Sequence, residues 1–276
     1  MAYLLLNGKL MAKKKNTIEE VNSIQDKTLY MDDSVHNVKI YCGDCVEVMR
    51  NKLCDNSIDC VLTDPPYNLG NFMLDRNTNI IKMRENSFAY AGWDNLNYEE
   101  WVKVMREFFL ECHRVLKKKG AVILFMSIIK VESIIKIAQE TGFYYKTTGI
   151  WHKTNPMPRN MGIQFVTSNE CWIYLVKDST SGTFNNGGKM KPDFVESSVC
   201  PNSEKKYGKH PTQKPLKIIK ELLECVTNAG DTVLDPFCGS GTTCVASAIL
   251  GRKSIGIDLE DKYCEISKQR LSNMEG

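Results

Sequence analysis

A carboxylate, two prolines and a phenol ring follow directly after the apolar segment Ile58–Thr63, in the order Asp64-Pro65-Pro66-Tyr67. The prolines lack a backbone N–H and stiffen the turn, and the carbonyl oxygens around them stay free. The amino group of a heteroaromatic base is a poor nucleophile because its lone pair is delocalised into the ring. Asp64 and the Pro65 carbonyl could accept its two hydrogens while Tyr67 stacks on the base. The motif therefore predicts chemistry on such an amino group, and the alternative is a proline-rich turn with a helix-capping Asp64.

A second candidate site lies where the segment Thr232–Asp235 enters the turn Pro236-Phe237-Cys238-Gly239-Ser240-Gly241-Thr242. Glycines let a ligand approach the backbone where a side chain would block it. Asp258 follows Gly239 by 19 residues, a spacing that suits a ribose diol. The third glycine of a dinucleotide-binding turn and the lysine of a phosphate-binding P-loop are both missing. The pattern favours a nucleoside ligand without a pyrophosphate, such as S-adenosylmethionine. A purely structural turn and a nicotinamide-dependent oxidoreductase are the alternatives.

Alternating strand and helix patterns must position these two motifs. Short β-branched or apolar segments predict strands, and apolar residues at helical spacing predict helices. Seven strands are expected at Val38–Cys42, Ile58–Thr63, Ala121–Met126, Tyr144–Trp151, Glu170–Val176, Thr232–Asp235 and Ser254–Asp258, with helices at Tyr98–Lys118, Ile128–Glu140, Pro215–Asn228, Gly241–Leu250 and Lys262–Leu271. This order predicts an α/β fold, in which a mostly parallel seven-stranded sheet has helices on both faces and one antiparallel hairpin at an edge.

The composition is that of a folded globular chain. Of 276 residues, 42% are hydrophobic and 25% are charged, and no run of about 18 apolar residues predicts a membrane span. Many of the 11 Cys residues occupy positions of small hydrophobic residues, which predicts reduced thiols in an unexported, cytoplasmic protein. Cys42 and Cys45 form the only metal-like pair, and no second pair completes it, so we expect no metal site.

Positive charge is concentrated in one part of the chain. Residues 151–214 contain nine Lys and Arg against five Asp and Glu, a formal charge of +4, although the whole chain carries only +3. This distribution indicates contact with phosphates, with a solvated loop as the alternative. Residues 68–94 and 155–210 are polar and mostly without a regular pattern. Because loops this long tend to be functional or disordered, both are candidate substrate-contacting insertions.

The two motifs, Asp64-Pro65-Pro66-Tyr67 and Asp235-Pro236-Phe237-Cys238-Gly239-Ser240-Gly241, resemble the catalytic and cofactor motifs of exocyclic-amino DNA methyltransferases. The catalytic motif comes first, an order similar to that of the β class. Asn155-Pro156-Met157-Pro158-Arg159-Asn160 and His210-Pro211-Thr212-Gln213-Lys214-Pro215 are most similar to adenine enzymes of the MboII type and the cell-cycle-regulated type. The resemblance covers about residues 38–271 and implies a Rossmann-like, S-adenosylmethionine-dependent methyltransferase fold.

The resemblance also implies a role for each residue of the two motifs. The target base would be held by Asp64, Pro65, Pro66 and Tyr67. The cofactor S-adenosylmethionine would contact Asp235, Phe237 and Gly239 at its methionine end, Asp258 at its ribose, Asp44 near its adenine, and Thr212 and Lys214 from the other side. Asp64, Gly241 and Thr242 complete the implied cofactor set.

Double-stranded DNA is the partner that the resemblance implies. Residues 1–34 are then a partly disordered N-terminal extension, and residues 35–276 are the catalytic domain, with target recognition at about residues 153–210 and an insert at 68–94. The candidate DNA contacts are Arg76, Arg84, Asn155, Arg159, Lys205 and Lys206. A homodimer and a companion restriction endonuclease are compatible with the family, and the sequence leaves both open.

The implied reaction is site-specific methylation of the 6-amino group of adenine in duplex DNA. The base is extruded from the duplex and methylated in line, without an enzyme nucleophile. Family members that act on the 4-amino group of cytosine usually carry Ser where this chain has Asp64, which favours adenine over that alternative. An inactive DNA-binding protein is the alternative of another class, and the intact Asp64 and Tyr67 argue against it.

Overall fold

One mixed sheet runs through the part of the chain that the computed structural model describes, residues 28–69, 96–156 and 165–274. In chain order its strands are β1 (Leu29–Asp33), β2 (Val38–Cys42), β3 (Ile58–Thr63), β4 (Leu116–Met126), β5 (Tyr144–Lys153), β6 (Asn169–Val176), β7 (Phe194–Ser197), β8 (Thr232–Asp235) and β9 (Lys253–Asp258). The α-helices are α1 (Cys45–Lys52), α2 (Tyr98–Val115), α3 (Val131–Glu140), α4 (Leu216–Val226), α5 (Thr242–Ile249) and α6 (Asp261–Ser272), and 3-10 turns cover Ile128–Lys130 and Asn202–Lys205.

The sheet is parallel at its centre, and its antiparallel pairs involve only β1 at one end and β6 towards the other. Its order is β1-β2-β9-β8-β3-β4-β6-β5-β7. Strands β2, β9, β8, β3 and β4 run parallel to one another, whereas β6 is antiparallel to both of its neighbours. Parallel neighbours need crossover connections, which the helices supply. All seven predicted strands are present, and the mostly parallel α/β fold is confirmed.

The sheet has nine strands, however, and the predicted number of seven is wrong. Strand β1 lies inside the predicted N-terminal extension and pairs antiparallel with β2. Strand β7 pairs with the outer side of β5, so the hairpin of β5 and β6 does not form the edge of the sheet. Both additional strands are short: β1 has five residues, none of them fully buried, and β7 has four, of which only Val195 and Ser197 are buried. Neither is long enough to show the apolar alternation from which strands are predicted.

The boundaries of α2 and β4 also differ from the prediction. The helix ends at Val115, before the predicted Lys118, because β4 begins at Leu116. Lys119 has a left-handed backbone (φ 65°), and the pairing with β3 shifts register between Leu116 and Ala121. Gly120 therefore lies in an irregular part of β4 instead of ending a helix. The sequence does not predict α1, whose eight residues give too little periodicity.

The central strands bury side chains on both faces of the sheet. On β3, Val61 packs in a cluster with residues of α1, α2 and α3. Its neighbours Cys60 and Leu62 point to the opposite face and pack in a cluster with α4. Burial on both faces explains why such strands are continuously apolar in the sequence.

Three neighbouring parallel strands bring polar residues to one edge of this core. The order β9-β8-β3 places their carboxyl ends side by side. Asp258 ends β9, Asp235 ends β8 and Thr63 ends β3, immediately before Asp64. The two motifs therefore start from adjacent positions.

The described residues give no sign of a membrane span or a metal centre. None of the described helices is both long and apolar enough to cross a bilayer. In the described ranges, no group of three or more His, Cys, Asp or Glu side chains could hold a metal ion. All 11 cysteines lie in these ranges as free thiols, and most of them are buried.

We expect Phe109→Ala to lower the free energy of unfolding by about 3–5 kcal/mol. The ring is fully buried and packs edge-on against Phe108 and Phe143, so truncation leaves a cavity. Urea unfolding followed by circular dichroism measures this loss. Leu110→Ala is the matched control, since this neighbour on α2 is half exposed and its truncation should cost about 0.5 kcal/mol or less. Equal losses from the two variants would contradict the described packing.

Candidate active site

The bend after β3 holds a carboxylate between two partners. The Tyr67 hydroxyl donates a hydrogen bond to Asp64 Oδ1 over 2.7 Å, and the Lys214 ammonium pairs with Asp64 Oδ2. Burial raises the pKa of Tyr67 well above its ordinary value, so its hydroxyl remains a donor. Burial also raises the pKa of Asp64, although Lys214 counteracts this effect.

A buried hydrogen bond connects this bend to the glycine turn. Thr63 Oγ1, at the end of β3, donates to Asp235 Oδ1 over 2.7 Å. The same oxygen accepts the Phe237 backbone N–H at 3.2 Å. Burial raises the pKa of Asp235 to about 6, despite these hydrogen bonds. The two motifs that resemble catalytic and cofactor sequences thus meet at the ends of adjacent strands.

The turn after β8 needs glycine for both conformation and space. Gly239 and Gly241 have left-handed backbones, with φ of 51° and 74°. A Cβ at Gly239 would lie 3.0 Å from His210 Nε2, and one at Gly241 would lie 2.7 Å from Ser267 Oγ. Any other residue would therefore be strained, and its side chain would crowd His210 at position 239 or collide with Ser267 of α6 at position 241.

Asp258 closes on the glycine turn from the end of β9. Its Oδ2 accepts the Gly239 N–H at 2.8 Å, and its Oδ1 accepts the Glu260 N–H at 2.9 Å. Burial raises the pKa of Asp258 to about 6, which these two backbone donors only partly offset. The 19-residue spacing noted in the sequence therefore corresponds to a direct contact in the structure.

Helix α6 holds the turn from behind, which the sequence does not predict. The buried Arg270 guanidinium donates to Ser240 O at 2.7 Å and to Thr242 Oγ1 at 2.9 Å, and Ser267 Oγ donates to Gly239 O at 2.9 Å. Ser267 and Arg270 lie three residues apart on the buried face of α6. Their helical spacing could have indicated burial, but nothing in it points to the turn as their partner.

A single cleft brings together residues of the three separate motifs. It is lined by Asp64 from the first bend, by Asp235, Phe237, Gly239 and Thr242 from the glycine turn, and by His210, Thr212, Gln213 and Lys214 from the segment before α4. Five further motif residues do not line the cleft but lie beside it, because they follow lining residues in the chain or are hydrogen bonded to them. They are Pro65, Pro66, Tyr67, Gly241 and Asp258. Gln213 Oε1 is buried and accepts no hydrogen bond from a described residue.

His210 packs as a neutral ring in this wall. Burial, with the nearby Lys214 and Lys262 ammonium groups, lowers its pKa to about 4. The ring lies edge-on against Tyr263, with 4.4 Å between ring centroids. At neutral pH it therefore contributes shape and no charge.

Asp44 has a structural task at the start of a helix. It is the N-cap of α1, and its Oδ1 accepts the N–H groups of Val46 at 2.9 Å and Glu47 at 3.0 Å. The adjacent Gly43 N–H donates to Asp258 O at 2.9 Å, so Asp44 lies at the same edge of the sheet as the glycine turn. It does not line the cleft described above.

A buried charge network extends from Asp64, and the sequence gives no signal for it. Lys214 Nζ lies 3.4 Å from Glu170 Oε2, at the start of β6. Glu170 Oε1 in turn pairs with Lys153 Nζ at 2.5 Å, at the end of β5. Burial opposes ionisation of Glu170, but the two lysines lower its pKa overall.

The described chain on either side of residues 70–95 is joined by one hydrogen bond. Asn68 Nδ2 donates to Leu96 O at 3.0 Å. Asn68 is buried and has a left-handed backbone (φ 50°), a conformation that Asn tolerates better than most residues. The bond closes the base of this segment directly beside Tyr67.

The candidate DNA contacts are only partly covered by the described residues. Asn155 is exposed, and its Oδ1 accepts the Val199 N–H at 2.8 Å, which fixes the chain after β5. Lys205 ends the 3-10 turn Asn202–Lys205, and the exposed Lys206 lies 5.2 Å from the centre of the Tyr207 ring. Arg76, Arg84 and Arg159 lie outside the described residues.

Comparison with known proteins places this geometry in a family. A family model described as DNA methylase, of the N6 and N4 type, matches residues 58–269. Similar curated proteins include type II methyltransferase M2.MboI of Moraxella bovis, which is 32% identical over 87% of this chain and 90% of its own. Type II methyltransferase M2.LlaDCHI of Lactococcus lactis subsp. cremoris is 34% identical over 81% of this chain and 86% of its own. The structure of the M1.HpyAVI–SAM complex has a TM-score of 0.65 and 29% identity, covering 86% of this chain and 100% of that one.

We expect Asp235→Asn to stabilise the protein at pH 8 by about 1–3 kcal/mol. The pKa of Asp235 is about 6 in the folded protein and 3.8 in the unfolded chain. Above pH 4 the carboxylate therefore ionises more easily in the unfolded chain, which lowers the free energy of unfolding, and an uncharged amide avoids this loss. The advantage of the variant should disappear towards pH 4, as measured by urea unfolding across this range. A constant difference between pH 4 and pH 8 would refute the assignment.

Proposed function

The chain belongs to the DNA methylase family of the N6 and N4 type, and we propose that it methylates the exocyclic 6-amino group of adenine in duplex DNA. One observation carries this proposal. The hydrogen bond from Thr63 to Asp235 holds the Asp64–Tyr67 bend beside the glycine turn, so that a base and a methyl donor would meet in one cleft. Proximity of this kind is the main source of rate in a reaction between two bound molecules.

The residues of the cleft fit S-adenosylmethionine, the ligand of the M1.HpyAVI–SAM complex. The turn offers the Gly239 backbone to the cleft, where a Cβ would intrude beside His210, and the buried Gln213 Oε1 accepts no hydrogen bond from the described residues. The methionine end of the cofactor would be held by Asp235, Phe237, Gly239, Gly241 and Thr242. Its ribose would contact Asp258, its adenine side would face Asp44, and Thr212 and Lys214 would cover the remaining face. When bound, this cofactor supplies a methyl group on a sulfonium centre, which the amino nitrogen of the base attacks in line.

The first bend would prepare the amino group for that attack. A base within a duplex must be extruded, at a cost of a few kcal/mol, before it can enter a pocket. Stacking on Tyr67 would recover about 1–3 kcal/mol of this cost. Asp64 and the Pro65 carbonyl would accept the two amino hydrogens, which favours a pyramidal nitrogen with an available lone pair. These acceptors are fixed before the base arrives, so they need little reorganisation during the reaction.

The DNA itself would lie over the region between β5 and α4. We propose that residues 153–210 carry target recognition together with the insert at 68–94, because the first of these segments contains most of the excess positive charge. Lys205 and Lys206 would contact phosphates, and Asn155 supports the chain at the start of the region. Phosphate contacts position such a protein on DNA without selecting a sequence.

We expect the protein to transfer a labelled methyl group from S-adenosylmethionine to unmodified DNA and to yield 6-methyladenosine after digestion to nucleosides. Asp64→Ala should abolish this transfer because the amino group loses its carboxylate acceptor, while Lys214 keeps Glu170 as a partner and the fold survives. Binding of S-adenosylmethionine to the variant, measured by calorimetry, is the control for an intact cofactor site.

Each other outcome of this assay has a defined meaning. Label in 4-methylcytosine would replace adenine by cytosine as the target. A fully active Asp64→Ala would refute the role of this carboxylate. If the wild-type protein transferred no methyl group to any DNA tested, the alternative of a DNA-binding protein without catalysis would replace the proposed function.

We expect Cys238→Ala to retain methyl transfer within about threefold of the wild-type rate. Cys238 lies in the glycine turn, but its thiol is buried and burial raises its pKa well above the ordinary value, so it is a poor nucleophile. The transfer rate at saturating cofactor tests this expectation. Loss of transfer in a variant that still unfolds at the wild-type temperature would indicate a mechanism that uses the thiol.

A further inference from the structure

Each oxygen of the Asp64 carboxylate already has one partner, although the proposed reaction needs this carboxylate for the target amino group. The Tyr67 hydroxyl lies 2.7 Å from Oδ1, and the Lys214 ammonium pairs with Oδ2. Tyr67 belongs to the same rigid bend as Asp64. Lys214 reaches in from another segment on a flexible four-carbon stem, so it is the partner that can leave.

Glu170 offers Lys214 a second position within the same cluster. Its Oε2 lies 3.4 Å from Lys214 Nζ, is buried from solvent and accepts no hydrogen bond from a described residue. The other oxygen is fixed by Lys153 at 2.5 Å. An ammonium at 3.4 Å is too distant for a strong hydrogen bond, so this buried oxygen would gain from a closer approach of Lys214.

Building on the function proposed above, we propose that Lys214 pairs with Asp64 at the position that the target amino group will take, and that it moves to Glu170 when the base enters. Glu170 is then a positioning residue for methyl transfer, acting through Lys214. The cluster contains two carboxylates and two ammonium groups in either arrangement. The move therefore leaves the net charge of the cluster at zero, and the incoming amino group replaces the ammonium as the partner of Asp64.

The same move makes Asp64 a better acceptor when it is needed. With Lys214 beside it, the charge of Asp64 is largely compensated by the ammonium. With Lys214 on Glu170, the carboxylate is free to accept the N–H of the base, whose nitrogen becomes positive as it forms the new bond. An acceptor fixed where positive charge develops lowers the barrier of the step.

Glu170→Gln tests this role, because it removes the charge and keeps the size of the side chain. Lys214 then has only Asp64, and we expect the single-turnover rate of methyl transfer to unmethylated DNA to fall by about tenfold or more. The dissociation constants of S-adenosylmethionine and of DNA should stay within about threefold of wild type. Glu140→Gln is the matched control. This exposed glutamate at the end of α3 pairs with Arg106, away from the cluster and from the proposed DNA-binding region, and its variant should transfer at the wild-type rate.

A double variant keeps the proposal testable if Glu170→Gln alone folds poorly. Combining Glu170→Gln with Lys214→Gln removes one charge of each sign, and Asp64 and Lys153 still balance each other in the cluster. Because Glu170 acts only through Lys214, the double variant should match the rate of Lys214→Gln within about twofold at saturating cofactor. A double variant about tenfold slower than Lys214→Gln would overturn the proposal.

The pH profile separates positioning from packing. In Glu170→Gln, the lost Glu170 charge and the retained Lys214 both lower the pKa of Asp64, whereas Tyr67 and Asp235 beside it are unchanged. The acid limb of the single-turnover rate should therefore move to lower pH, which a purely structural residue would not cause. A wild-type rate and profile in Glu170→Gln would overturn the inference alone. A wild-type protein that methylates no DNA would overturn the proposed function and this inference with it.

Discussion

A buried hydrogen bond between two strand ends is the interaction on which the site depends. Thr63 Oγ1 and Asp235 Oδ1 are 2.7 Å apart, and both residues are almost fully excluded from solvent. The bond is possible only because β3 and β8 are adjacent and parallel, so that their carboxyl ends reach the same edge of the sheet. Inside the protein, leaving either group without its partner would be costly. The distance between the Asp64–Tyr67 bend and the glycine turn is therefore set by the sheet and does not depend on the surrounding loops.

The parts of this arrangement that the sequence predicts are those with strong local patterns. Strands β2, β3 and β8 match their predicted bounds because they are short apolar runs that polar or turn-forming residues end. The two motifs are identifiable because proline and glycine restrict or extend the backbone in ways that no other residue does. Their proximity follows from the order of parallel strands.

The remaining parts depend on contacts between distant segments. Glu170 on β6 contacts Lys214, and Arg270 on α6 contacts the glycine turn, but the spacing of their neighbours in the sequence carries no information about these partners. Strand β1 forms through its pairing with β2 and has no strong strand pattern of its own, so the sequence alone assigns its residues to an N-terminal extension. Asp44 shows a third limit, since an acidic residue after a strand can serve a ligand or cap a helix, and the sequence does not distinguish the two.

The bond between Asn68 and Leu96 has a consequence for how such an enzyme changes its target. It joins the two ends of the intervening segment next to the Asp64–Tyr67 bend, so segments of other lengths could be exchanged there without disturbing Asp64 or Tyr67. The entropy of closing a loop grows only slowly with its length, by about 0.6 kcal/mol for each doubling. Evolution or an engineer could therefore graft new reading elements at this point, and the chemistry would be inherited unchanged.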